Sequence, residues 1–143
     1  MKLRILIDKQ QEEKILIYAH EKTPLIEEIE RLVEDSALGF TGYDEDSQFR
    51  LNPADIHCFT VEDGRLYALT DSGKLLIKMR LYQVEKKLSG NFVKINQSCI
   101  ANIKKIARFD SSVTGTLRVV FKNGYDDYVS RRQIKSVKER LGL

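Results

Sequence analysis

Two short stretches of the chain set cations directly beside amide and hydroxyl side chains: Lys94-Ile95-Asn96-Gln97-Ser98 and Ser130-Arg131-Arg132-Gln133. These residue types supply both kinds of contact that a reader of duplex DNA needs. Lys and Arg neutralise phosphates and release counterions. Arg also pairs through two donors with guanine, and Asn or Gln with adenine, on the major-groove edge. The same residues have a structural use. Asn96, Ser98 and Asn102 can tie down a turn through bonds to the backbone. That use suits Ser98 and Asn102 better, whereas Gln97, Arg131 and Arg132 suit DNA contact.

Material for catalysis is thin. The chain holds two histidines, His20 and His57, and two cysteines, Cys58 and Cys99. His57 and Cys58 are neighbours in a stretch that reads as a strand. Their side chains then point to opposite faces and cannot pair as imidazole and thiolate. Four metal ligands at usable spacing are missing, as is a glycine-rich phosphate loop. The adjacent carboxylates Asp126-Asp127 and Glu27-Glu28 suit solvated or capping roles better than an acid/base couple. The expectation is a protein with no enzymatic activity, cofactor, metal or small-molecule substrate.

Net charge is only +3, but its distribution is uneven. Residues 1–50 hold 7 Lys/Arg against 12 Asp/Glu, residues 51–90 hold 6 against 5, and residues 91–143 hold 11 against 4. A basic end of this kind faces a polyanion or is solvated surface, and charge alone does not choose between them. Residues 1–8 lack a signal-peptide core, no apolar run approaches the ~20 residues that cross a bilayer, and two thiols do not make a disulfide framework. A cytoplasmic location is expected.

Residues 3–7 and 13–19 read as aliphatic strands. Thr23-Pro24 reads as a helix start ahead of Leu25, Ile29, Leu32 and Val33 at helical spacing. This predicts a β-β-α extension over residues 1–40. Residues 36–47, rich in Gly and Asp, read as the boundary before a main domain over residues 48–143. Strands are expected at 48–51, 56–61, 66–70, 74–78, 92–95, 103–109, 117–121 and 125–129. Hairpin turns are expected at Glu62-Asp63-Gly64, Asp71-Ser72-Gly73 and Lys122-Asn123-Gly124, because Gly, Asn and Asp tolerate positive φ. Helices are expected at 80–88 and 131–141. The fold class is mainly β: antiparallel sheets, a small N-terminal extension and a C-terminal helix.

The run from Phe92 to Asn102, with Ile103 and Ile106 behind it, resembles the signature of the LytTR family of DNA-binding domains. Asn123-Gly124, then Val129-Ser130-Arg131 and the closing basic helix, follow in the family's order, as do Asp55-Ile56 and the Leu81 to Leu88 helix upstream. The resemblance spans roughly residues 48–143. It implies a domain that reads DNA with loops that enter successive major grooves, at pairs of imperfect direct repeats. Carried onto this chain, the base-reading positions are Gln97, Arg131 and Arg132, with Arg65 near a third loop, and Asn96 joins the contact set. Lys94, Lys104 and Lys138 are the implied phosphate contacts. Asn96 stands where His is commonest in the family and Thr60 where an acidic residue is common. Residues 1–47 are too short for a receiver domain, so the chain resembles the stand-alone regulators of the family. That likeness implies a membrane-protein inhibitor as partner. Open sheet edges in residues 1–40 point to a homodimer or to docking on a partner. A protein-interaction module that acts mainly through this extension is the alternative to a DNA reader.

Overall fold

The computed structural model describes residues 1–37, 39–88, 90–112 and 114–142, with the side chains of 34–37 outside that description. Leu38, Ser89, Val113 and Leu143 fall outside it as well.

In chain order the elements are α1 (Pro24–Ala37), β1 (Phe40–Tyr43), β2 (Gln48–Leu51), β3 (Ile56–Glu62), β4 (Arg65–Thr70), β5 (Gly73–Ile77) and α2 (Leu81–Lys87). There follow β6 (Phe92–Asn96), β7 (Cys99–Asn102), β8 (Ile106–Ser111), β9 (Leu117–Phe121), β10 (Asp126–Val129) and α3 (Arg131–Leu141). The strands form two antiparallel sheets, one ordered β2-β1-β5-β4-β3-β7-β6 and one ordered β10-β9-β8.

Turn chemistry sets the local connections. Asp63 and Gly64 both have positive φ, at 50° and 75°, and Glu62 pairs with Arg65, so β3 and β4 are joined by a two-residue turn. Such turns match the natural twist of the strands they join. Between β9 and β10, Gly124 takes φ 89° and its N–H donates to the Phe121 carbonyl at 2.9 Å.

β3 is the centre of the molecule. Every residue from Ile56 to Thr60 is buried. A register shift between Ile56 and Cys58 lets Ile56 and Phe59 share one face, while Cys58 faces the other. On the first face Phe59 meets Phe40 edge-on at 4.9 Å, and Leu66, Ala68, Ile77, Val84 and Ile100 complete a core beneath α2. On the other face Cys58, Ile95 and Ala101 pack with Val119, Phe121, Val129 and Val137, which joins the large sheet to the small sheet and α3.

The structure departs from the sequence expectation at four places. Residues 3–7 and 13–19 pair with no strand among the described residues. They flank a turn in which Gln11 N–H donates to the Asp8 carbonyl at 3.3 Å and Gln10 N–H donates to Asp8 Oδ1 at 3.0 Å. Their apolar side chains stay exposed, so no buried face fixes a register for them. The helix expected after them is present as α1. β1 lies inside the segment read as a boundary, and pairs with β2 and β5. Gly42 marks a close approach there, since a Cβ on it would stand 2.9 Å from Leu75 Cβ. β7, buried at all four positions, shows no alternation and was hidden in the sequence. The strand expected from 103 starts at Ile106, because Asn102 Oδ1 accepts the Lys104 N–H at 3.1 Å and holds 103–105 in a helical turn.

Candidate nucleic-acid interface

Three loops converge at one end of the two sheets: the β3–β4 turn, the β6–β7 turn at Gln97-Ser98, and the junction of β10 with α3. Backbone bonds tie them together. Val61 N–H donates to the Ser98 carbonyl at 2.9 Å, and Ser130 N–H donates to the Ile95 carbonyl at 2.8 Å.

Asn96 is the side chain that locks this junction. It is 2% exposed. Its Oδ1 accepts the Ser98 N–H at 2.8 Å, while Nδ2 donates to Asp127 Oδ1 at 3.1 Å and to the Tyr128 carbonyl at 2.8 Å. One amide thereby fixes the β6–β7 turn and the end of β10 at once. The placement corrects the expectation that Asn96 belongs to the contact set, because its amide is buried and already bonded. A second polar chain lies beside it. The Tyr125 hydroxyl donates to Asp127 Oδ2 at 3.1 Å and sits 3.3 Å from Thr60 Oγ1. Burial, with the Asp127 carboxylate adding to it, pushes the Tyr125 phenol well above its usual range, so it remains a donor. Thr60, which stands where an acidic residue is common in the family, is therefore a buried bracing residue here.

Outside this lock the neighbours are free to meet a ligand. Arg65, Gln97, Arg131 and Arg132 are all exposed. Lys94 is half-buried and lines the same shallow groove as Gln97, together with Gly64, Arg80 and Tyr82. Arg80 and Tyr82 were not singled out in the sequence. Arg80 precedes α2 and its N–H donates to Gln83 Oε1 at 2.9 Å. Their position beside Gln97 depends on the β4–β5 hairpin folding back, which no local signal reveals. From the junction, Arg131, Lys135 and Lys138 are all exposed and follow one another at i, i+4 and i+7 along α3, on one side of the helix. Lys138 thus lies about 10 Å along the helix from Arg131.

Lys104 does not join them. It follows the far end of β7, roughly 15 Å along the strand direction from the Gln97-Ser98 turn. Its implied role as a phosphate contact therefore concerns a part of the surface away from the three converging loops. The same far end holds the His57–Asp71 pair. His57 is buried, its Nε2 stands 2.7 Å from Asp71 Oδ1, and its Nδ1 has no partner among the described residues. The hydrogen bond from His57, and then its charge, hold the Asp71 carboxyl below the usual range. Cys58 and Cys99 are both fully buried, and the Cys58 thiol beside it, together with burial, pushes the Cys99 thiol well up. A thiol held protonated is neither a nucleophile nor a metal ligand. Among the described residues no group of three or more His, Cys, Asp or Glu could hold a metal ion. Likewise, no described helix is long and apolar enough to cross a membrane.

Comparison with known proteins agrees with this geometry. The profile of the LytTr DNA-binding domain matches residues 46–142. HTH-type transcriptional regulators from Staphylococcus aureus are similar over the whole chain: 33% identity in strain MSSA476 and 32% in strain NCTC 8325, each covering 100% of this chain and 99% of the relative. Among the described residues, strands separate each α-helix from the next. Among solved structures, the LytTr DNA-binding domain of a methyl-accepting/DNA response regulator from Bacillus cereus superposes with a TM-score of 0.68 at 19% identity. That match covers 72% of this chain and 95% of the other.

Proposed function

Because the chain belongs to the LytTR DNA-binding domain family, we propose that it regulates transcription by reading duplex DNA in the major groove with its three converging loops. The observation that carries this reading is the Asn96 lock. A buried amide bonded on both sides holds the β6–β7 turn against the end of β10, a backbone bond from Ser130 to Ile95 ties in the start of α3, and Gln97 and Arg132 are both left exposed beside this frame. Preorganised loops lose little entropy on binding.

In this reading Arg132 and Gln97 contact base edges, with Arg131 and Arg65 flanking them. Lys94 and Lys138 are the phosphate contacts of the same reading. Operators made of paired direct repeats and a cytoplasmic location belong to the same proposal. Selection on randomised duplexes tests it. Arg132→Ala should cost roughly 1–3 kcal/mol at the preferred site and flatten the preference at one base pair. Gln97→Ala should act likewise at a different base pair. Folded variants that keep the parent's preference would overturn the base-reading assignment.

A further inference from the structure

Residues 1–33 carry an apolar surface that the rest of the described chain leaves open. Leu3 is 87% exposed, Ile7 91%, Leu16 67% and Tyr18 89%, and Met1, Ile5, Leu6, Ile15, Leu25, Leu32 and Val33 are also exposed. Fully burying one such side chain removes on the order of 100 Å² from water, so the set amounts to roughly 1,000 Å². That exceeds the largest patch of a typical monomer, ~300–600 Å². It matches the ~800 Å² that each partner of a stable complex buries.

The arrangement also shows that one copy covers only part of the set. Ile15, Ile17 and Ala19 line a groove with Ile26, Ile29 and Val33 of α1. Leu16 and Tyr18 alternate with them in sequence and remain more exposed than Ile17. A segment apolar at both parities belongs between two layers, and α1 supplies only one. A unit of this size is also too small to build a sufficient core alone.

From these features we propose that the missing layer is the same region of a second copy, so that two chains associate through residues 1–33. Charge selects this occupant. Residues 1–37 hold 6 Lys/Arg against 9 Asp/Glu, which disfavours an anionic lipid surface or DNA. Within it the first stretch mixes Lys2, Arg4, Lys9 and Lys14 with Asp8, Glu12 and Glu13, and on α1 Glu28 and Glu30 already meet Arg31 and Lys22 of their own chain, so the apolar side chains are left as the feature that needs covering. A two-fold axis sets this apolar surface of one copy against the same surface of the other, and such an interface is self-complementary, with an area of the size that a stable dimer buries.

Sedimentation of the full chain without DNA provides the test. The expected mass is twice 16.5 kDa, falling to the monomer in Leu16→Glu/Tyr18→Glu while the melting of the remaining domain is unchanged. Independently, Tyr18→Cys should cross-link to a dimer on mild oxidation far faster than Ser112→Cys, with the buried Cys58 and Cys99 silent in both. A full chain that sediments as a monomer at tens of micromolar overturns the proposal. If that monomer floats with anionic vesicles, the occupant is lipid. A dimer that survives Leu16→Glu/Tyr18→Glu, or equal cross-linking of the two cysteine variants, overturns it as well. None of these readouts involves DNA, so failure of the DNA-reading proposal leaves them intact.

Discussion

Replacing Asn96 with alanine separates a residue that positions loops from one that reads bases. The side chain is buried and makes three hydrogen bonds, one of them to the Asp127 carboxylate. A neutral bond contributes about 1 kcal/mol net and a bond to a charged group about 1.5–3. Ser98 and Tyr128 lie at the surface, where water re-satisfies part of what is lost, so the net cost should be about 2–4 kcal/mol. For a chain of this length that corresponds to a fall in Tm of roughly 5–15 °C. Urea denaturation and thermal melting measure it, alongside DNA affinity as a function of salt. Affinity should drop at least about tenfold as the Gln97 and Arg132 loops lose their common frame. The salt slope should hold, because no cation has been removed. Asn96→Asp keeps the acceptor for Ser98 but sets a second carboxylate against Asp127, so it should be at least as destabilising and should recover partly in acid. The reasoning is refuted if Asn96→Ala is as stable as the parent within ~0.5 kcal/mol yet alters preference at a single base pair, because the amide would then be reading DNA.

Further expectations concern charge, packing and pH. Lys94→Ala should reduce the salt slope of DNA binding by about one unit, whereas Lys104→Ala, in the turn that follows β7 and away from the Gln97-Ser98 turn, should leave it unchanged; equal effects would displace the proposed surface. Phe59→Ala, which empties the site packed against Phe40 and Phe92, should cost about 3–5 kcal/mol in denaturant unfolding. The folded Asp71 carboxyl titrates below its ordinary value, so its bond from His57 stabilises the fold above about pH 4 and the benefit is lost as pH falls through the lowered folded value. Melting temperatures of parent and Asp71→Asn should therefore differ most near neutrality and converge in acid, and a gap that stays constant from pH 3 to 6 would contradict this.

What the sequence alone determined are the features that a few neighbouring residues control. Asp63-Gly64 and Asn123-Gly124 specify their hairpins because the backbone there needs positive φ, and this is a local property. The spacing of Leu81, Val84 and Leu88 and the 131–141 stretch set two helices within a residue of where they stand. Gln97 and Arg132 were legible as contact candidates from residue type, and the family from an ordered set of short motifs. Tertiary structure alone decided the rest. Asn96 and Gln97 are adjacent amides of similar chemistry, yet one is buried against Asp127 and Tyr128, more than thirty residues away, while the other faces solvent. The same holds for β1 and β7, whose pairing depends on β5 and β3, and for Gly42, which reads as a linker residue until Leu75 packs against it. Lys104 looked equivalent to Lys94 until the fold set Lys94 on β6 in the groove with Gln97 and Lys104 in the turn beyond the far end of β7. Residue type and local spacing carry propensity and turn geometry, but burial and the meeting of loops are made by partners distant in the chain, and only the packed fold brings those together.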